Sequence, residues 1–251
     1  EGYGGKTTGN TNYGVFVVRN SGSLGRVTSS DGNMSIKGFG GGKDGSTSNR
    51  GVYVWAGGSI TTTGTGSVLV EGQGGNTTGE SNQGVRVDGK TPSTAVGSLI
   101  GSSGGNVVVR GTGSGSNASF NNYGVYVVNS AKISAGGSGT VRVEGQGATG
   151  ANGDDNYGVS VAFAEITSSG GNVSVKGTGG GSGSSKQNYG VYLVTVGKIN
   201  AGGTGLVKVE GFGGTTPSGN ANHGVYLINN GTIVTSSGGA VTVNGTGGGS
   251  G

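Results

Sequence analysis

Seven copies of one short pattern, Asn-x-Gly-Val-x-(Val or Leu), run through the chain, beginning at Asn12, Asn49, Asn82, Asn122, Asn156, Asn188 and Asn222. Successive copies are 37, 33, 40, 34, 32 and 34 residues apart and cover the molecule from end to end. A period of this size means that the repeating unit is one supersecondary element, and that stacking the units makes the core. Function is therefore expected to reside in the stack: its length, stiffness and surface.

Of 251 residues 65 are Gly, with only 29% hydrophobic and 10% charged, a composition typical of disordered chains when it lacks a period. Here the aliphatics fall at fixed phases of the repeat, and that restores the folded reading. In Asn122–Gly147 three short extended stretches, Gly124–Val128, Lys132–Ser134 and Thr140–Gly145, are separated by Gly and Ser. No stretch carries a helical apolar period, so helix is excluded. In the first stretch the constant pair is Val15/Val17, Val52/Val54, Val85/Val87, Val125/Val127, Val159/Val161, Val191/Leu193 and Val225/Leu227. The residue between them varies: Phe16, Tyr53, Arg86, Tyr126, Ser160, Tyr192 and Tyr226. Alternation with period two assigns the constant pair to the inside and the variable residue to the outside. The second stretch has one aliphatic per repeat (Val27, Ile60, Ile100, Ile133, Ile166, Ile199, Val234), and the third has pairs such as Val141/Val143. These features predict an all-β parallel β-helix (β-solenoid) of about seven coils, three short strands per coil, running through residues 1–251 as one array.

The coils alternate in kind. Seven residues separate the second aliphatic from the third-strand one in Val27–Met34 and Ile166–Val173, and eight in Ile133–Val141 and Ile199–Val207. The residue closing the third strand alternates in sign: Glu1, Lys37, Glu71, Arg110, Glu144, Lys176, Glu210, then Asn244. Stacked about 4.8 Å apart, like charges would repel, whereas this order makes a ladder of neighbouring ion pairs and penalises a one-coil slip. The seven Asn are expected to form a second column, each amide bonding to the coils above and below. The Gly two residues later is expected where the backbone takes positive φ or packs closely.

Chemistry is sparse. There is no Cys, hence no disulfide or thiolate site, and no apolar run long enough to span a membrane. The net charge of +4 is spread along the chain and does not indicate a nucleic-acid site. Glu71, Glu144 and Glu210 lie two coils apart with a basic residue between, so they read as ladder charges and not an acid/base pair. Asp44, Asp154 and Asp155 sit in Gly-rich loops, read as solvated, with a weak cation site as the alternative. His223, the single His, stands where Tyr13, Tyr123, Tyr157 and Tyr189 stand in other copies and reads as a stacking residue. The Asn-x-Ser/Thr triplets at Asn33, Asn76 and Asn117 are what chance produces in this composition. No catalytic residue, metal site or cofactor is expected. The outward row Phe16, Tyr53, Tyr126, Tyr192 and Tyr226 is the best candidate contact face, for sugars or a neighbouring filament; the competing reading is aromatics packing on one another. The insertions Arg19–Arg26 and Asp88–Leu99 are candidates for specificity or tolerated loops.

Units such as Asn188–Val194 and Gly170–Gly180 resemble those of giant repetitive bacterial surface proteins of the β-solenoid type, including filamentous-haemagglutinin-like adhesins. The resemblance covers the whole chain in repeat style. It implies export, a parallel β-helix, and a secreted or cell-surface role in adhesion, a sheath or an extracellular fibre, with other copies, neighbouring filaments or cell-surface glycans as partners. It transfers no functional residue. With no recognisable cap at either end, the chain is expected to be an excerpt of a longer protein. Other readings are a carbohydrate-binding or carbohydrate-cleaving β-helix, a viral fibre, and an ice-binding solenoid. The last rests on Thr28, Thr61, Ser134, Thr167 and Thr235, a column broken by Gly101 and Asn200.

Overall fold

Short β-branched strands separated by Gly and Ser cannot close a sheet within one repeat, and each instead pairs with its counterpart in the next. The computed structural model describes residues 1–19, 23–89, 97–216 and 218–249, and there it shows a parallel β-solenoid of seven coils with no helix. Sheet I stacks Val15–Val18, Val52–Trp55, Val85–Asp88, Val125–Val128, Val159–Ala162, Val191–Val194 and Val225–Ile228. Sheet II stacks Arg26–Ser29, Ser59–Thr62, Leu99–Ser102, Lys132–Ala135, Glu165–Ser168, Lys198–Ala201 and Ile233–Ser236. Sheet III stacks Gly2–Tyr3, Met34–Phe39, Val68–Gln73, Val107–Thr112, Val141–Gln146, Val173–Thr178, Val207–Phe212 and Val241–Thr246. Every pairing is parallel and joins equivalent positions, as in Val107↔Val141 and Arg110↔Glu144. The insertions Arg19–Arg26 and Asp88–Leu99 lie partly outside the described residues.

The inward side chains of the three sheets meet in one apolar column. Val52, Val54, Ile60, Val68 and Val70 of coil 2 are all at most 1% exposed, and Ile60, Ile100, Ile133, Ile166 and Ile199 stack one above another at 0%. Burial on this scale contributes roughly 1.5–3 kcal/mol per side chain. In the last coil, covered from one side only, Leu227, Val241 and Val243 are 41%, 43% and 46% exposed.

Between sheets III and I the chain leaves the barrel as an arm, such as residues 40–51, and its two limbs run close together. This settles the role of the repeated Gly. Gly51, Gly84, Gly124, Gly158 and Gly190 do not take positive φ; they permit close approach. A methyl on Gly177 in sheet III would overlap the carbonyl oxygen of Gly190, and one on Gly190 would overlap the backbone N–H of Phe212. The same facing pair recurs as Gly145/Gly158 and Gly211/Gly224. Because the obstructing atoms are backbone, Gly177→Ala is expected to cost about 3 kcal/mol in chemical denaturation. Gly5→Ala, whose added carbon would meet nothing nearer than 3.5 Å, is expected to be close to neutral.

Candidate functional site: the stacked side-chain columns

Equivalent positions recur one coil apart, so each outward or arm side chain faces its own kind. The Asn column is the clearest case. Backbone N–H groups of Asn12, Asn49, Asn82, Asn122, Asn156 and Asn188 each donate to the Oδ1 of the next Asn, at 2.9–3.4 Å. Nδ2 donates to the same oxygen for Asn12 (2.9 Å), Asn49 (2.9 Å), Asn122 (3.0 Å), Asn156 (3.3 Å) and Asn188 (3.1 Å). Asn82 instead turns its amide to Thr77 Oγ1 and the Gly79 carbonyl. The remaining amide proton caps the arm's own turn, as in Asn49 to the Ser46 carbonyl at 3.0 Å. Asn49, Asn82, Asn122, Asn156 and Asn188 are 0% exposed and Asn222 5%, so the arm has a polar core whose hydrogen bonds are met.

The residue just before each ladder Asn takes left-handed φ in all seven coils: Thr11, Ser48, Ser81, Asn121, Asp155, Gln187 and Ala221, at 56° to 63°. None is Gly, although non-Gly residues are disfavoured there. Three of them show what a side chain adds. Asp155 Oδ1 accepts from the Tyr157 hydroxyl at 2.6 Å, Asn121 Oδ1 from Tyr123 at 3.0 Å, and Ser48 Oγ from Arg50 at 3.4 Å.

Aromatic rings form two adjacent columns on sheet I. Tyr123, Tyr157, Tyr189 and His223 stack nearly parallel at 4.6, 5.1 and 5.4 Å, which places His223 as a stacking ring. Against them lie Tyr126, Tyr192 and Tyr226, with contacts such as Tyr157–Tyr192 at 5.0 Å. The sequence row Phe16, Tyr53, Tyr126, Tyr192 and Tyr226 is thus interlocked with a second row: Tyr53 is 7% exposed and only Phe16 is exposed, at 43%. Burial is the leading cause that pushes Tyr53, Tyr123 and Tyr157 above the usual tyrosine value and Tyr189 up to about 12.

The charge ladder keeps its register throughout but closes only in part. Arg110 reaches Glu71 at 3.2 Å and Glu144 at 2.9 Å, and Lys37 reaches Glu1 at 4.0 Å. Lys176 faces Glu144 and Glu210 in register yet forms no ion pair among the described residues; its amine lies over the Phe212 ring at 5.5 Å. The acids are taken from along their own strands, Glu144 by Arg142 and Glu210 by Lys208. A flexible Lys reaching across a coil competes poorly with a base two residues away on the same face.

Three devices went unread in the sequence. Asn33, Asn106 and Asn172, in alternate coils, accept from the backbone N–H of Ser67, Thr140 and Leu206 at 2.8–2.9 Å. Their appearance after Gly in three alternate coils, at Gly32, Gly105 and Gly171, is the available signal. Sheet II carries a second alternating set, with Lys132 paired to Glu165 at 3.2 Å and Lys198 next in register. The left-handed residues carry no signal in the sequence, because the Gly that favours this conformation is absent before every ladder Asn.

Asp154 is held by the Lys186 N–H at 2.7 Å, and Thr167 of the Thr column is 7% exposed and bonded to Asn200. Among the described residues no group of three His, Asp or Glu could hold a metal, and no helix is long and apolar enough to cross a membrane. The sequence matches no protein-family model, no curated protein and no solved structure at a significant level.

Replacing Asn156 by Leu, of similar size, leaves the Asn122 donors without their acceptor. It is expected to cost about 1–3 kcal/mol, measured by urea unfolding. For Glu144, burial alone would raise the carboxyl, but hydrogen bonds from Arg110 and Arg142 outweigh it and hold the group below its ordinary value. Its contribution is therefore present above the unfolded-state value and lost as pH falls through the folded one. Glu144→Gln is expected to cost about 0.2–1 kcal/mol at neutral pH, with the difference from wild type vanishing in acid unfolding curves.

Proposed function

We propose that the chain is a structural extracellular element, a stalk or fibre segment of a bacterial cell-surface adhesin, sheath or matrix, and not an enzyme. The observation that carries this reading is the unbroken register of three parallel sheets and one hydrogen-bonded Asn column through all seven coils. A one-dimensional stack with matching neighbours resists bending and slippage while spanning about 34 Å at 4.8 Å per coil. The residues most regular in the sequence are spent on stacking, and the carboxylates Glu71 and Glu144 are engaged by Arg110 and not paired with each other. Resemblance of repeat style to filamentous-haemagglutinin-like proteins, together with the lack of Cys, supports an exported setting. Copies of the chain and neighbouring filaments are the partners this reading assigns, with cell-surface glycans as further candidates.

Electron microscopy of the native surface material is the test. Rods with an axial repeat near 4.8 Å are the expected result. Removal of residues 122–187, two whole coils, is expected to shorten the rod by about 9.6 Å and preserve the fold, because the alternation of coil kinds survives. Native material consisting of short isolated particles without an axial repeat would remove the stalk reading.

A further inference from the structure

Two residues before each sheet II strand the chain turns the corner from sheet I. From coil 2 to coil 7 this position reads Gly57, Gly97, Ser130, Phe163, Val196 and Gly231. The backbone there is left-handed at Gly57 (φ 90°), Ser130 (62°), Phe163 (54°), Val196 (51°) and Gly231 (77°). Gly takes that conformation freely, a bulky residue is disfavoured in it, and a β-branched one such as Val196 is a genuine outlier. Thr195, just before it, is β-branched and left-handed as well, at 47°. Coils 5 and 6 thus accept backbone strain to hold a ring and an isopropyl group where their neighbours hold Gly or Ser.

Burial within the stack does not account for these two side chains. Phe163 is 49% exposed and Val196 36%. Both coils have described coils above and below them, so the exposure belongs to the outer surface of the rod and not to an open end. A strained backbone that presents apolar side chains to solvent points to a contact made outside the coil.

The charges beside them say what that contact is. A shallow groove at this corner is lined in part by Phe163, Ala164, Glu165, Val196 and Lys198. Glu165 pairs with Lys132 at 3.2 Å, whereas Lys198, next to Glu165 in register, forms no ion pair among the described residues. Phe163 with Glu165, and Val196 with Lys198, therefore stand one coil apart on the same corner. A second copy related by a two-fold axis along the strands, between coils 5 and 6, sets its own coil 6 against coil 5. Phe163 then meets Val196 of the other copy, Glu165 meets its Lys198, and the symmetry makes each contact twice. Lys132 falls opposite Ile233 of the other copy, which is neutral. A parallel pairing sets each coil against itself instead, bringing Glu165 towards Glu165 and Lys198 towards Lys198.

We propose that this corner of coils 5 and 6 is a self-association surface that pairs two copies of the chain antiparallel. The pairing itself stands apart from the stalk reading; its use, joining neighbouring rods side by side, rests on that reading. Sedimentation velocity of the intact chain is expected to show a reversible monomer–dimer equilibrium. The double variant Phe163→Gly, Val196→Gly installs the residue that coils 2, 3 and 7 carry, at a backbone that suits it. Its circular dichroism is expected to match wild type while dimer affinity falls at least about tenfold. Glu165→Lys alone and Lys198→Glu alone each oppose like charges in the antiparallel pair, and each is expected to weaken the dimer. An equimolar mixture of those two variants restores both opposite-charge contacts and is expected to recover it. The proposal is overturned by a chain that stays monomeric, by a dimer that survives the double Gly variant, or by a mixture that fails to associate. Electron microscopy keeps the two readings separate: rods present in native material retain the stalk reading in each of those outcomes, and their absence removes it without touching the sedimentation result.

Discussion

Everything in this molecule follows from parallel strands pairing at equal positions one coil apart. The backbone ladder sets a spacing of about 4.8 Å and brings each side chain against its own equivalent above and below. Only residue types that tolerate their own company can fill such a column unaltered. Aliphatics do, as the Ile60–Ile199 column shows; amides do, because Asn both donates and accepts; rings do, by stacking. Charges do not, and both charged columns alternate in sign, Glu71–Arg110–Glu144 on sheet III and Lys132–Glu165–Lys198 on sheet II.

The coil has two cores of different chemistry. The barrel is dry and β-branched. The arm between sheets III and I is too narrow for side chains to interdigitate, since Gly stands opposite Gly at its base. Its limbs are held instead by a buried amide column and by carbonyls the amides cap. The left-handed residue before each Asn belongs to the same design: it turns the chain sharply enough to present the Asn inward. In coils 4 and 5 its side chain repays part of the backbone cost by binding the neighbouring Tyr hydroxyl.

Departures from repetition are correspondingly informative. A coil that only needed to stack would repeat its neighbour. Arg50, Gln83, Arg86 and Asp88 exchange ring-on-ring contacts for hydrogen bonds and cation–π contacts at one place on one face. Glu144 and Lys176, by contrast, follow the repeat and serve the stack.

Local alternation in the sequence determined the fold class, the seven coils, the three strands of each, and which of Val125, Tyr126 and Val127 faces inward, because period two is a property of the strand itself. The alternating signs from Glu1 to Glu210 likewise pointed to parallel register, since a slip by one coil brings like charges together. Only the tertiary structure decided which partner each group takes. Lys176 turns to a ring and Glu144 to Arg142, and the Tyr53 row interlocks with a second aromatic row. Gly190 serves close approach and not positive φ, and Arg50 takes Gln83 and Tyr13 as its partners. The reason is dimensional: strand alternation depends on neighbours along the chain, whereas partner choice depends on distances among side chains from several coils at once, which no single repeat contains.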